Sequence, residues 1–182
     1  MKVRHVALGC ASLFLPIMGC SSGATSSNSD FNDDDVMFAQ MMIPHHEQAV
    51  ELSDIALDPN VGAGDPIRQL ADEIKAAQDP EIDQMTSLLT EWGQPMAPMD
   101  GMDHGSMMKG MLSPEDLDAL GELTGAEFDA AWTTAMIAHH EGAIEMAEEV
   151  LERGSNESIR ELAESIITTQ RAEIEVLRTL LP

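Results

Sequence analysis

The chain has 182 residues, of which 33 are acidic and only nine are Lys or Arg, so its formal net charge is −24 at pH 7. Such a chain repels nucleic acid and anionic lipid headgroups and attracts cations, which excludes nucleic-acid binding as its function. Aromatic residues make up 3% of the chain and tyrosine is absent. We therefore expect a core of Leu, Ile, Ala, Val and Met.

The first 19 residues are typical of a secretory signal. A short basic start precedes an apolar run at 6–18, too short to span a bilayer as a mature helix, and the run ends in a Gly-Cys pair. This junction is typical of bacterial lipoproteins, so we predict a signal peptide at 1–19 and a lipid anchor at Cys20 on the extracytoplasmic side of the membrane. An ordinary secretory signal cleaved nearby is the alternative. Residues 20–30 predict a flexible tether. Because Cys10 would leave with the signal, no disulfide is expected.

The remainder, residues 31–182, has the hydrophobic periodicity of helices and no strand signal. Asp65 is expected to cap the second long helix, with Pro66 at its first position. Ser113 is expected to start a short helix, and Ser155 or Asn156 is expected to cap the last helix. The four long helices are predicted at 33–57, 65–92, 125–153 and 156–181.

The same chain contains a long internal repeat. Met41-Met42-Ile43-Pro44-His45-His46-Glu47 returns 94 residues later as Ala135-Met136-Ile137-Ala138-His139-His140-Glu141, and an offset of 92 relates the helices that follow. A repeat of this length predicts two copies of one structural unit, here helical hairpins at about 31–92 and 113–182. We predict an all-α, ferritin-like four-helix bundle built from two duplicated hairpins, with a short extra helix in the crossover.

Four of the six histidines lie in the two copies of the repeated motif. Each motif places a methionine three and four residues before a histidine pair, so the side chains can meet on one helix face. Imidazole and thioether together suit copper, Cu(I) especially, and Ag(I) should compete. Around a pseudo-twofold axis, four imidazoles and two thioethers would converge. The alternative is that each histidine is a hydrogen-bonded core residue. The predicted ligands are Met42, His45, His46, Met136, His139 and His140, and Met41 is a further candidate ligand.

Four further polar residues are candidates for orienting these imidazoles. Glu47 and Glu141 directly follow the histidine pairs and could accept hydrogen bonds from the rings. Gln78 and Gln170 lie in the apolar stripes of the second and fourth long helices, where a buried amide needs a partner. An imidazole across the groove is the candidate partner for each amide.

Residues 93–111, between the two halves, are rich in Met, Gly and Pro, which forbid a regular helix. A methionine on such a loop has no core to fill, so we interpret the segment as a site that captures Cu(I) and passes it to the bundle. The alternative is an oxidation-sensitive linker. The candidate ligands here are Met96, Met99, Met102, His104, Met107, Met108 and Met111.

Residues 38–51 and 136–147 resemble the two halves of the motif of a bacterial family, domain of unknown function 305. The resemblance covers about 31–181 and implies a ferritin-like four-helix bundle in exported proteins. Some members, the CopM-like proteins, bind copper and contribute to copper resistance. By that similarity the Met/His-His positions would be the ligands. The second half departs from the pattern, since Ala135 and Ala138 stand where Met and Pro are usual; Met41 therefore has no counterpart.

These observations predict a membrane-tethered copper-binding protein that sequesters Cu(I) or hands it over, with a copper donor or acceptor protein as a further partner. Homo-oligomerisation stays open. We do not expect an enzyme, because ferritin-like di-iron oxidases use Glu-x-x-His pairs and the chain has none. The other alternative is a structural or signalling lipoprotein in which the repeat only specifies the bundle.

Overall fold

A computed structural model describes residues 30–96 and 108–181. Within these two ranges there is no strand, and no helix is both long enough and apolar enough to cross a membrane. The all-α prediction is confirmed. The helices are α1 (Asp33–Leu57), α2 (Asp65–Glu91), α3 (Pro114–Gly121), α4 (Gly125–Arg153) and α5 (Glu157–Leu180).

The long helices form two hairpins that pack through their first helices. α1 packs along α2, α4 packs along α5, and α1 contacts α4, whereas α2 and α5 touch only sparsely. The N-terminal half of α1 shares a hydrophobic cluster with the C-terminal half of α4, so these two helices run antiparallel. The hairpins are therefore related by a pseudo-twofold axis through the α1–α4 contact, with α3 in the crossover packed on α4.

Two helices begin at capping residues that the sequence predicted, whereas α2 does not. Asn156 caps α5 and Ser113 caps α3, each side chain accepting a backbone N–H. At α2 the predicted cap is wrong by one residue: Gly64 is the N-cap, and Asp65 is already helical. A tertiary contact accounts for this difference, because the Gly64 N–H donates to Asp129 Oδ1 of the other hairpin at 3.0 Å.

Each hairpin thus supplies an aspartate to the turn of the other. Asp35, fully buried, accepts the backbone N–H groups of Ser155 and Asn156, both at 3.1 Å. Asp129, 94 residues after Asp35, does the same for Gly64. Backbone N–H groups at a turn have no partner within a helix and need such acceptors, so the duplicated aspartates fix the register between the hairpins.

The apolar core is interrupted halfway along the bundle. One cluster combines Phe38 and Met42 of α1 with the C-terminal half of α4, and the second combines Leu52 with Trp132 and Met136. Between them all four long helices contribute polar side chains, each at most 2% exposed. We call this set the polar layer; it consists of His45, His46, Gln78, His139, His140 and Gln170.

Candidate metal centre

His45 and His139 meet across the pseudo-twofold axis at the centre of the polar layer. Their ring centroids are 3.8 Å apart with the planes inclined by 39°, and both side chains are fully buried. No ring nitrogen of either residue makes a well-aligned hydrogen bond among the described residues, although the Lys109 carbonyl lies near the His45 ring and the His45 carbonyl lies near the His139 ring. A buried polar atom left unpaired costs about 1–3 kcal/mol, so core hydrogen bonding does not account for this pair.

Burial also determines the protonation of the two rings. It lowers the pKa of His45 from 6.5 to about 3, and a positive charge on the neighbouring His46 would lower it further. Burial, and next the charge of His45, hold the pKa of His139 well below 6.5. Both imidazoles are therefore neutral at pH 7, which is the form that binds metal ions.

The second histidine of each pair turns towards a glutamate of its own hairpin. His46 Nε2 lies 2.8 Å from Glu81 Oε2 in a hydrogen bond. His140 Nε2 lies 2.8 Å from Glu173 Oε2, an ion-pair distance without the alignment of a hydrogen bond. The Nδ1 atoms of both rings have no hydrogen-bond partner in the described part of the chain. They lie on the side of the ring away from the carboxylates and are available to bind a metal ion.

These glutamates are not the ones that the motif suggested. Glu47 and Glu141 are exposed, because each lies two residues after the central histidine of its pair, which is about 200° around the helix. Glu141 instead lies 3.6 Å from Arg178. The signal for Glu81 and Glu173 was in the sequence, since the two glutamates occupy equivalent positions of the repeat in the facing helices.

Gln78 and Gln170 occupy the polar layer, as their place in the apolar stripes predicted, and each is 2% exposed. Their amide atoms have no hydrogen-bond partner among the described residues. The expected bond from an imidazole is therefore absent, and the layer contains unpaired donors and acceptors on all four helices.

The thioethers do not join the imidazoles at one point. Met42 and Met136 are fully buried, but they belong to opposite clusters, because α1 and α4 are antiparallel. Met41 lies outside the layer, half-buried in a surface groove. Residues 30–96 and 108–181 contain no group of three or more His, Cys, Asp or Glu placed to hold one metal ion. The expected convergence of four imidazoles and two thioethers is thus replaced by a central His–His pair with flanking groups.

The end of the crossover covers this pair. A Cβ on Gly142 would lie 1.9 Å from the Lys109 carbonyl oxygen and 3.3 Å from His45 Nε2, and a Cβ on Gly110 would lie 2.2 Å from the Ala138 carbonyl oxygen. Residues 108–112, the covering segment, therefore pass over α4 in backbone contact that only glycine permits at these two positions.

Gln48 fixes the covering segment to α1. Its Nε2 donates to the Leu112 carbonyl at 2.9 Å, and its Oε1 accepts the Leu112 N–H at 2.8 Å. Sequence reasoning missed Gln48 and the two glycines, because a contact between a helix and a distant backbone segment has no local signal.

The methionine-rich segment is described only at its two ends. Met96 is 43% exposed, Met108 is buried and Met111 is half-buried. Met108 is therefore packed in the protein interior, contrary to the expectation that the methionines of this loop have no core to pack into. The other predicted positions lie outside the described residues: Cys20, Met99, Met102, His104 and Met107.

Comparisons with known proteins agree with this architecture. A DUF305 protein from Streptomyces coelicolor is 29% identical, with 81% of this chain and 91% of that chain covered and a TM-score of 0.74. A DUF305 fragment from Deinococcus radiodurans is 31% identical, with coverages of 82% and 95% and a TM-score of 0.73. CopM in its Cu(II)-bound form is 30% identical, with coverages of 80% and 93% and a TM-score of 0.68; its solved forms include Cu(I)-bound and Ag-bound ones. No curated protein matches the chain significantly. The family model "Domain of unknown function (DUF305)" matches residues 35–181, and the chain belongs to this family.

Proposed function

We propose that this protein binds copper in the cell envelope, preferentially as Cu(I), and sequesters it or hands it to another protein. The observation that carries the proposal is the buried His45–His139 pair, whose four ring nitrogens make no well-aligned hydrogen bond among the described residues. Similarity to CopM, which has been solved with Cu(I), Cu(II) and silver, supports the choice of metal.

The central pair would hold the ion, with the remaining groups of the layer in support. Neutral imidazoles and thioethers favour a soft monovalent cation over Mg²⁺ or Ca²⁺, so Ag(I) should compete with Cu(I). Glu81 and Glu173 would orient His46 and His140 and leave their Nδ1 atoms free, an arrangement that commonly tunes metal sites. Met42 and Met136 would supply thioethers from either side of the layer.

The role that we propose is binding rather than catalysis, since the chain has no Glu-x-x-His pair of the di-iron type. Location in the envelope, with a lipid anchor at Cys20, rests on the signal-like N-terminus. Capture of Cu(I) by the methionines at 96–111 would bring the ion to the covering segment, which lies directly over the central pair.

An anaerobic Cu(I) titration against a chromophoric chelator tests this function. We expect dissociation constants below micromolar for the wild type and loss of the tightest site in His45→Leu/His139→Leu. A matched variant with Met96, Met99, Met102 and Met107 changed to Leu should keep the tight site and lose only additional ions. Absence of binding tighter than micromolar in the wild type would refute the proposal. Loss in the methionine variant alone would move the site out of the bundle.

The structural alternative makes the opposite prediction for thermal melting. A ligand that binds only the folded state stabilises it by about 2.7 kcal/mol at a hundred times its dissociation constant. We therefore expect Ag(I) to raise the melting temperature of the wild type by more than that of His45→Leu/His139→Leu. An unchanged melting temperature in the wild type would favour a polar layer that only specifies the bundle.

A further inference from the structure

A shallow groove lies on the surface between the N-terminal half of α1 and the C-terminal half of α4. It has a volume of about 150 Å³, and three of the eight residues that line it are methionines, Met37, Met41 and Met146. Methionine accounts for only 14 of the 182 residues of the chain, so three thioethers around one small groove are a marked enrichment.

The three thioethers come from two facing helices. Met37 and Met41 are four residues apart on α1, which makes their side chains neighbours on one helix face, and Met146 lines the same groove from α4. Met37 is 60% exposed, and the other two side chains are half-buried. An ion can therefore reach these thioethers from solvent without any opening of the bundle.

The duplicated fold does not require methionine at this place. The positions equivalent to Met37 and Met41 in the second half are Ala131 and Ala135. Those alanines line a depression together with Gly110 and other residues of the crossover. One half of the molecule thus has small residues beside the crossover, while the other has methionines around a groove whose lining includes no described residue of the crossover.

The charges around the groove suit a cation. Asp34 and Glu149 also line it, and the Arg153 guanidinium, the only basic group among the described residues of the lining, is paired with Glu149 at 2.5 Å. Thioethers have no proton to lose and prefer soft ions, and the acidic chain attracts cations generally. We propose that Met37, Met41 and Met146 form a second site, at the surface and separate from the polar layer, that binds one Cu(I) or Ag(I) ion.

The test is a titration of the full chain with Ag(I), followed by NMR of ¹³C-labelled methionine methyl groups. Single Met→Leu substitutions assign the signals. We expect the methyl signals of Met37, Met41 and Met146 to shift together and to saturate at one equivalent for the groove. The signals of Met42 and Met136 report on the polar layer in the same spectra.

Substitution then separates the two sites. The variant Met37→Leu/Met41→Leu/Met146→Leu should bind one Ag(I) fewer by calorimetry, whereas Met85→Leu, in the buried core, should bind as many as the wild type. Leucine is close to methionine in volume, so both variants should fold. Groove signals that stay fixed, or a triple variant with the wild-type stoichiometry, would overturn the second site. If only the groove signals moved, the metal site proposed in the polar layer would be refuted and the groove site would stand.

Discussion

The buried histidine pair should make the fold sensitive to mild acid. The pKa of His45 is lowered from 6.5 to about 3 by burial, so between these two values the unfolded chain binds a proton that the folded chain does not. The free energy of unfolding is therefore highest above pH 6.5 and falls as the pH decreases towards 3. At pH 5 the loss from His45 alone is about 2 kcal/mol, since each pH unit in this window corresponds to about 1.4 kcal/mol. His139, whose pKa is lowered in the same direction, adds to that loss.

The measurement is urea denaturation at pH 7.5 and pH 5.0 with a chelator present, on the wild type and on His45→Leu/His139→Leu. The many carboxylates titrate in both proteins, so the difference between the two pH-dependent losses isolates the histidine pair. We expect the wild type to lose at least about 2 kcal/mol more than the variant between these pH values. An equal loss in both proteins would show that the two rings take up protons in the folded state as readily as in the unfolded chain, and would refute the assignment of neutral imidazoles.

Three further changes test individual contacts. Glu81→Gln should weaken Cu(I) binding about 10- to 100-fold in the chelator titration by loosening an imidazole, whereas the exposed Glu47→Gln should not; equal effects would contradict the roles given to the two glutamates. Gly142→Ala should destabilise the protein by about 1–3 kcal/mol, because the added Cβ would lie 1.9 Å from a backbone oxygen of the covering segment. The control is Gly121→Ala, whose added Cβ meets nothing within 4 Å and should leave the melting temperature unchanged. Asp35→Ala removes a fully buried acceptor of backbone N–H groups and should cost about 3 kcal/mol in urea denaturation; a cost below about 1 kcal/mol would show that water replaces it.

The sequence by itself determined the helices and their duplication. Apolar residues at intervals of three and four, together with caps such as Ser113 and Asn156, define the helices locally, and the structure confirms the bundle. The repeat at an offset of 94 residues predicted equivalent positions for His45 and His139. Two hairpins packed about a pseudo-twofold axis account for this repeat, because such an axis places equivalent residues of the two halves on opposite sides of the α1–α4 contact.

Tertiary structure alone decided which of the predicted groups meet. The antiparallel packing of α1 and α4 brings two imidazoles to a centroid distance of 3.8 Å and sends Met42 and Met136 to opposite clusters. It also makes Glu81, rather than Glu47, the neighbour of a histidine. Local spacing fixes only the direction of a side chain around its own helix, whereas a partner on another helix depends on how the helices pack. For the same reason the covering segment over the histidine pair became visible only in three dimensions.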